Sequence, residues 1–494
     1  MHDLKPKRDL RPASREFSEA NQGVAANSHW QLRPSERRAL LLVMDLLIVN
    51  GSIFLGLWIW LVQYQGGLTA EFLIRQIYWF PALSSMWLVF SILNGFYDSH
   101  VTSSLKHSTL ALIKLTSLLL AAYALILFMS SPGALPRRFV IYFIAISFYG
   151  LAMWRFTYTV YLGRSRFQRR ALILGNLNEV SITALARIVK EDPGPHYQIM
   201  GIVGDGFIPD KGDVEGLKFL GTTADLLPLV KRYAVSEVVT SFTETIDADL
   251  IRSLIDCQEQ GVQVTPLATI YEELTGRVPL DIVQQGWLSG LPLHHASTGV
   301  IFPLLKRALD LTLASLGIMV LASVFPFVAL AIRLDSKGPI MYRQERVGKG
   351  RQLFRAYKFR SMELNQDNGI YPLWTEHGDS RVTRMGRILR ATHIDELPQF
   401  VNILKGEMSA VGPRPERKEL AVQFEEAIPF YRLRYSVRPG MAGWALINQG
   451  NTSSLEDAWK KLEYDLFYIK HQSLWFDFVI LLKTVVDAFR LRGG

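Results

Sequence analysis

The sequence predicts three parts in series: a membrane α-helical bundle, an α/β Rossmann-like domain, and a membrane-associated α+β domain entered through a re-entrant helix. Three observations predict it. Four apolar stretches of roughly 20 residues occupy the first third of the chain, each long enough to cross a bilayer core. Short apolar strands then alternate with helical patterns, as in a parallel α/β sheet. A fifth apolar run, basic at both ends, leads into a strongly basic mixed segment. Of 494 residues, 49% are hydrophobic and 20% charged, so membrane and water-facing parts share one chain. The net charge of +9 suits anionic headgroups and phosphorylated substrates. No nucleic-acid module accompanies it, so nucleic acid is not expected as a partner. A single cysteine, Cys257, excludes an internal disulfide and a Cys-cluster metal site, and reads as an ordinary half-buried thiol.

Residues 1–38 are polar and lack a sustained apolar pattern, which predicts a disordered cytoplasmic tail. The four-helix membrane region covers 39–163, with spans near Ala39–Val62, Ile77–Tyr97, Ser108–Met129 and Phe139–Leu162. Arg33, Arg37 and Arg38 precede the first span. Arg164, Arg166, Arg169 and Arg170 follow the fourth. Both flanks are therefore expected in the cytoplasm, although Arg137 and Arg138 fall in the outer loop. Asp45, Lys114 and Arg155 lie inside spans. Such groups are functional candidates by default, but pairing between helices or an interfacial position is the favoured reading. Trp58, Trp60, Trp79 and Trp87 read as interfacial or packing residues.

Residues 169–285 form the Rossmann-like domain. Its strands are RRALILGN, IMGIVG, SEVVTSF and GVQVTP, with helical patterns at Val180–Lys190, Ala224–Tyr233 and Leu250–Gln260. The first turn starts at Gly175 and lacks the second and third glycines of G-x-G-x-x-G. Close approach of a pyrophosphate is not provided for, so a structural or regulatory role is expected rather than dinucleotide binding. A glycine- and proline-rich linker follows at 286–305.

The last part covers 306–494. Its apolar run, Leu311–Ile332, is long enough to cross a bilayer. Lys306 and Arg307 before it, Arg333 and Lys337 after it, and Pro326 within it instead predict a helix-break-helix over 306–335 that returns to the same leaflet. Next, PIMYRQERVGKGRQLFRAYKF reads as two strands about a Gly348–Gly350 turn. The terminal SLWFDFVILLKTVVDAF mixes apolar and charged positions at helical spacing, as in a helix lying on the membrane interface.

The densest chemistry lies in Arg381–Arg417. Six arginines surround the adjacent carboxylates Asp395 and Glu396, with a Gly-Pro-Arg-Pro turn at 412–415. Arginine forks match phosphate oxygens bidentately, so an anionic, phosphorylated substrate is implied. A carboxylate pair among them repels phosphate and needs another job: nucleophile, base or metal ligand. Pro398 is tolerated in a first helical turn, which predicts a helix from about Asp395 to Leu404. The bland alternative is a capped helix with solvated arginines.

RATHIDELPQFVNILKGEMSAVGPRPE resembles the signature of the bacterial sugar transferases, polyprenyl-phosphate sugar-1-phosphate transferases. The likeness runs from about Lys306 to Val486 through KRALD, SKGPIMYRQERVGKG, YKFRSM, VRPGMAGWA and YDLFYIKHQSLWFDFVILLKTV. The arrangement upstream resembles the large members, which add membrane helices and a Rossmann-like domain. The resemblance implies transfer of a hexose-1-phosphate from a UDP-sugar to undecaprenyl phosphate, releasing UMP. Asp395 would be the nucleophile of a covalent aspartyl intermediate, and Glu396 would assist Mg2+. Lys358, Arg360, Arg381, Arg390, Arg414 and Arg438 make the phosphate-binding set. Lys306, Arg307, Asp310, Ser323 and Pro326 make the re-entrant anchor. The family places a Ser-Pro at the break, whereas here Ser323 stands where proline is expected and Pro326 follows three residues later. His393 reads as packing or polar support.

The implied setting is a multi-pass protein of a bacterial inner membrane with its catalytic domain in the cytoplasm. It would begin exopolysaccharide, capsule or O-antigen synthesis. Its partners would be the UDP-sugar, undecaprenyl phosphate and the bilayer, with self-association left open. UDP-glucose or UDP-galactose is the favoured donor, with N-acetylated hexoses as alternatives. Residues from about 295 onward are expected to carry the whole reaction. Two other readings compete. A membrane-bound nucleotide-sugar dehydratase would need an intact glycine fingerprint and a Tyr-x-x-x-Lys pair, and neither is found. A non-enzymatic assembly scaffold would not need the intact DELPQ and VGPRPE motifs.

Overall fold

The structure, a computed structural model, describes residues 34–64, 76–97, 99–102, 105–129, 137–162, 169–175, 197–205, 213–214, 217–240, 248–280, 301–363, 382–450 and 454–489. The expectations for residues 1–33, the helix at 180–190, residues 286–300 of the linker, and Arg381 fall outside these. The chain divides into two compact units. One comprises residues 1–47, 99–110 and 149–267; the other comprises 48–98, 111–148 and 268–494.

The apolar stretches form helices because a lipid-facing backbone must satisfy its own hydrogen bonds, and a helix does so within one segment. They are α1 (Pro34–Tyr64), α2 (Trp79–Leu93), α3 (Leu105–Met129) and α4 (Arg137–Thr157), the last prolonged by a π turn to Leu162. Three of them contain runs long and apolar enough to cross a membrane, as does Ile301–Asp335; α2 is shorter. Its 15 residues rise about 22 Å, because the chain turns at Asn94 and at Gly95 with its positive φ of 61°. Asp45 and Arg155 pair at 2.7 Å, both buried. Trp87 is fully buried and meets Phe96 edge-on, whereas Trp58 is exposed.

In the first unit, six strands follow: β1 (Arg169–Leu174), β2 (Tyr197–Val203), β3 (Asp213–Val214), β4 (Leu217–Gly221), β5 (Glu237–Thr240) and β6 (Gln263–Pro266). Their order is β3-β4-β2-β1-β5-β6, parallel except for β3 on β4. Strand order thus reverses beside β1, as in a doubly wound Rossmann-like sheet. Buried Leu172, Leu174, Val203 and Val238 fill its core with Cys257, which is fully buried rather than half-buried. Burial pushes the Cys257 thiol up to about 11, so it is a packing residue.

The sheet domain ends earlier than the sequence suggests. The second unit starts at Ala268, within helix α5 (Leu267–Thr275). Val278 and Leu280 are fully buried and share a core with Leu466, Tyr468 and Ile480. The Gly276 carbonyl accepts from Trp444 Nε1 at 2.9 Å, and the Val278 amide donates to the Glu463 carbonyl. A chain beginning at 295 would uncover this core. We expect a fragment starting at residue 266 to have a higher thermal midpoint than one starting at 295, measured in the same detergent. Equal midpoints would show that residues 268–280 add nothing.

Helix α6 (Ile301–Asp335) has 35 residues and extends about 52 Å. The sequence led us to expect a break near Pro326, but the helix runs through it. Proline removes a single backbone bond there, and the next turns are held by packing. Val328 and Ile332 lie against Phe359 and Leu389. Ser323 donates to the Met319 carbonyl within the same helix. One face is widely exposed and apolar, including Leu316, Met319, Val320, Phe327 and Leu330. Both ends dock on the same α+β domain. Near the start, Lys306 donates to Asp477, Tyr468 and the Val411 carbonyl. Arg307 holds the Ile403 and Leu404 carbonyls, and buried Asp310 accepts from Ser409 and the Ala410 amide. At the far end, Asp335 accepts from the Met385 amide.

The hairpin forms as expected. β7 (Met341–Val347) pairs antiparallel with β8 (Leu353–Phe359) about a turn in which Gly350 takes a φ of 63°. Helix α7 (Arg384–Ala391), capped by Thr383, leads into a 3-10 turn at Ile394–Gln399 and helix α8 (Phe400–Lys405). Strands β9 (Ser409–Val411) and β10 (Gly440–Ala442) lie parallel. The C-terminal helix α9 (Leu474–Phe489) exposes Trp475, Phe478 and Val485.

Candidate active site

The site forms where β8, the 3-10 turn and the Gly-Pro-Arg-Pro segment meet. Side chains alternate along β8, so Phe354, Ala356 and Lys358 share one face. His393, exposed and left-handed with a φ of 55°, reverses the chain between α7 and the turn. It is a turn residue rather than the polar support the sequence suggested. A 3-10 turn has three residues per turn, so Asp395 and Glu396 diverge by about 120°. Close glycine packing brings in the third element. A Cβ on Gly412 would lie 2.5 Å from the Arg438 carbonyl, and one on Gly440 2.0 Å from the Gly412 nitrogen. Arg414 follows directly.

Glu396 is gripped from both sides. Lys358 Nζ lies 2.6 Å from its Oε1; the two Arg414 nitrogens lie 2.5 Å and 3.2 Å from Oε1 and Oε2. Burial alone would raise this carboxyl, but Arg414 and Lys358 hold it well below the usual range. Asp395 is equally buried, 7% exposed against 6%. Among the described residues, however, no group hydrogen-bonds to its carboxylate. Burial pushes its carboxyl up, with Lys358 pulling the other way and Glu396 adding repulsion. Two neighbouring acids are therefore driven apart, one locked as an ion pair and one left free. Such divergence is typical of catalytic carboxylates.

The other candidates scatter. Half-buried Arg390 acts on Asp395 through its charge from the end of α7. Arg438 is exposed beside Gly412. Arg360 is not in the site: its guanidinium donates to the Ser336 carbonyl and hydroxyl and the Ile332 carbonyl, closing the C-terminus of α6. Sequence reasoning missed a buried charge network behind the site. Glu416 pairs with Lys461 at 2.5 Å, and Arg434 pairs with Asp465 at 2.9 Å and with Glu416 at 3.5 Å. Lys461, Arg434 and Arg346 keep the Glu416 carboxyl down at about 2 despite burial. Lys461 and Asp465 lie one turn apart on the helix Leu455–Lys470, but Glu416, Arg434 and Arg346 come from three other segments, so no spacing rule links the whole set.

Among the described residues, no group of three or more His, Cys, Asp or Glu could cage a metal. The site fits a different kind of metal, one held by one or two carboxylates and by substrate phosphate oxygens, as magnesium commonly is. Asp395 is free, and Glu396 Oε2 accepts a single bond.

A family model described as bacterial sugar transferase matches residues 302–491, and one described as CoA-binding domain matches residues 92–260. A UDP-N-acetylgalactosamine-undecaprenyl-phosphate N-acetylgalactosaminephosphotransferase of Aeromonas hydrophila is 42% identical over 235 residues, 47% of this chain and 54% of its own. A UDP-glucose:undecaprenyl-phosphate glucose-1-phosphate transferase of Escherichia coli (strain K12) is 42% identical over 201 residues, 40% of this chain and 43% of its own. A protein of the same name from Klebsiella pneumoniae is 30% identical over 333 residues, 65% of this chain and 68% of its own. The chain thus spans about half the length of the first two.

Proposed function

The chain belongs to the bacterial sugar transferase family, and from that premise we propose that it moves a hexose-1-phosphate from a UDP-sugar to undecaprenyl phosphate, releasing UMP. The observation that carries the mechanism is Asp395, buried and without a hydrogen-bond partner among the described residues, beside a Glu396 held by Lys358 and Arg414. In this reading an Asp395 oxygen attacks the β-phosphorus of the UDP-sugar. The anhydride bond to the α-phosphate breaks, and UMP leaves with its electron pair. The lipid phosphate then attacks the same phosphorus and frees Asp395. Two steps keep the two anionic substrates from meeting. One phosphoanhydride replaces another, so the protein mainly positions groups and neutralises charge. Lys358, Arg414 and Arg390 supply that charge. Glu396 would hold magnesium, which when bound would add to the neutralisation. The named relatives divide between glucose and N-acetylgalactosamine; glucose or galactose remains our proposed sugar. Wild-type protein given UDP-glucose, UDP-galactose and undecaprenyl phosphate should release UMP. With UDP-sugar alone, the peptide holding Asp395 should gain the mass of one hexose phosphate. If UMP appears only after lipid is added and no adduct forms, direct attack by the lipid phosphate replaces this mechanism.

We also propose that the unbroken α6 does not cross the bilayer but rests in one leaflet, with the catalytic domain on the cytoplasmic side of a bacterial inner membrane. The support is that both its ends dock on one water-facing domain. The short helix α2 is then counted as a crossing, accommodated by local thinning of the bilayer. Single cysteines at Ser297 and Ser336, in a Cys257→Ser background, should both be labelled only from the cytoplasmic side. Labelling from opposite sides would establish a crossing.

A further inference from the structure

Four successive carbonyls in the segment that carries Arg414 are each pinned from outside it. Pro413 accepts from the Gly440 amide at 2.9 Å, and Glu416 accepts from the Val347 amide at 3.1 Å. The middle two are held by guanidinium groups. The Arg414 carbonyl accepts from Arg434 Nη2 at 2.8 Å, and the Pro415 carbonyl from Arg346 Nη1 at 2.8 Å. The sequence explains why side chains are needed. Pro413 and Pro415 have no N–H, so the segment cannot be secured by a regular ladder. Main-chain carbonyls in a half-buried site must find donors, and here two of the donors carry charge. Arg434 is itself oriented by Asp465 at 2.9 Å, and Arg346 by Gln344 at 2.6 Å. Neither arginine is hydrogen-bonded to Asp395 or Glu396.

We infer that Arg346 and Arg434 are positioning residues: they fix the Arg414–Pro415 main chain, so that the Arg414 fork stays aimed at the carboxylate turn and at a bound phosphate. The inference rests on the proposed phosphate-transfer reading of this site. It assigns the two residues to a task distinct from stability. A merely structural arginine would lower activity whether or not Arg414 is present. A positioning arginine loses its effect once Arg414 is gone.

The test is a double-mutant cycle on the full chain in lipid nanodiscs. Inorganic pyrophosphate binding is measured by calorimetry, and UMP release from UDP-sugar is measured separately. Arg346→Ala should weaken pyrophosphate binding about tenfold in the wild-type background, and less than about twofold in an Arg414→Ala background. Arg434→Lys keeps a charge for Asp465 and Glu416 but loses the fork, and should behave the same way. Equal losses in both backgrounds would overturn the inference. If the wild type binds pyrophosphate but releases no UMP, the proposed function fails while the binding cycle still decides the clamp. If the wild type binds no pyrophosphate, Arg414 holds no phosphate and the clamp has no purpose, which also overturns it.

Discussion

Asp395→Asn should abolish UMP release and lipid-free exchange between UMP and UDP-sugar, by at least about 10^4-fold, while making the protein more stable. The two effects have one cause. Asp395 is buried with no hydrogen-bond partner among the described residues, and burial raises its carboxyl above the usual range. A group with a raised folded value binds its proton more tightly when folded than when unfolded. Its ionised form therefore costs stability at neutral pH, and that cost fades as pH falls through the raised value. Asparagine keeps the shape and removes the charge, so a gain of about 1 kcal/mol at pH 7 is expected, shrinking towards low pH. Denaturant unfolding of both proteins between pH 4 and pH 8 measures it. A variant that still forms the phosphosugar adduct would move the nucleophile elsewhere. A variant less stable at pH 7 would show that the carboxylate is not strained.

Glu396→Gln should behave in the opposite way. It breaks a buried ion pair on both sides, at a cost of about 3 kcal/mol. The sign with pH is reversed too. The Glu396 carboxyl is held below its unfolded value by Arg414 and Lys358. Its contribution is therefore present above the ordinary glutamate range and lost as pH falls through the depressed value. Activity should also drop steeply, because the freed Lys358 and Arg414 can then turn to Asp395 and bind the charge that attacks phosphorus. Any remaining activity should need more magnesium. Measured together, Asp395→Asn and Glu396→Gln should move the thermal midpoint in opposite directions. Movement in the same direction would contradict the division of roles.

The features legible in the sequence were those set by near neighbours. Pro398 led us to expect one helix from about Asp395 to Leu404; the structure has helical turns there, but the carboxylates lie on a 3-10 turn at Ile394–Gln399 and the α-helix begins only at Phe400. Alternation and the Gly348–Gly350 turn gave the hairpin. Failures came where local rules were overruled. The resemblance put Arg360 with Lys358 in the phosphate-binding set, but the strand ends at Phe359 and Arg360 turns to the carbonyls of α6. Pro326 should break a helix, but Val328 and Ile332 are packed firmly enough to carry it through. The Glu416, Lys461, Arg434 and Asp465 network joins residues up to 49 positions apart through folding alone, so no motif could announce it.

The carboxylate turn is clasped to α6 at two points. Ile394, just before Asp395, packs with the Val328 and Ile332 cluster. Phe400, just after the turn, sits so close to Gly317 that a Cβ there would lie 2.4 Å from its ring. The two contacts are 11 residues apart on one helix, about 16 Å. The reactive carboxylates therefore cannot rise or sink relative to the lipid-facing helix without repacking both. The helix acts as a depth gauge. On the proposed reading, each substrate in turn has to reach Asp395 at a height fixed by the protein, whatever the surrounding bilayer does.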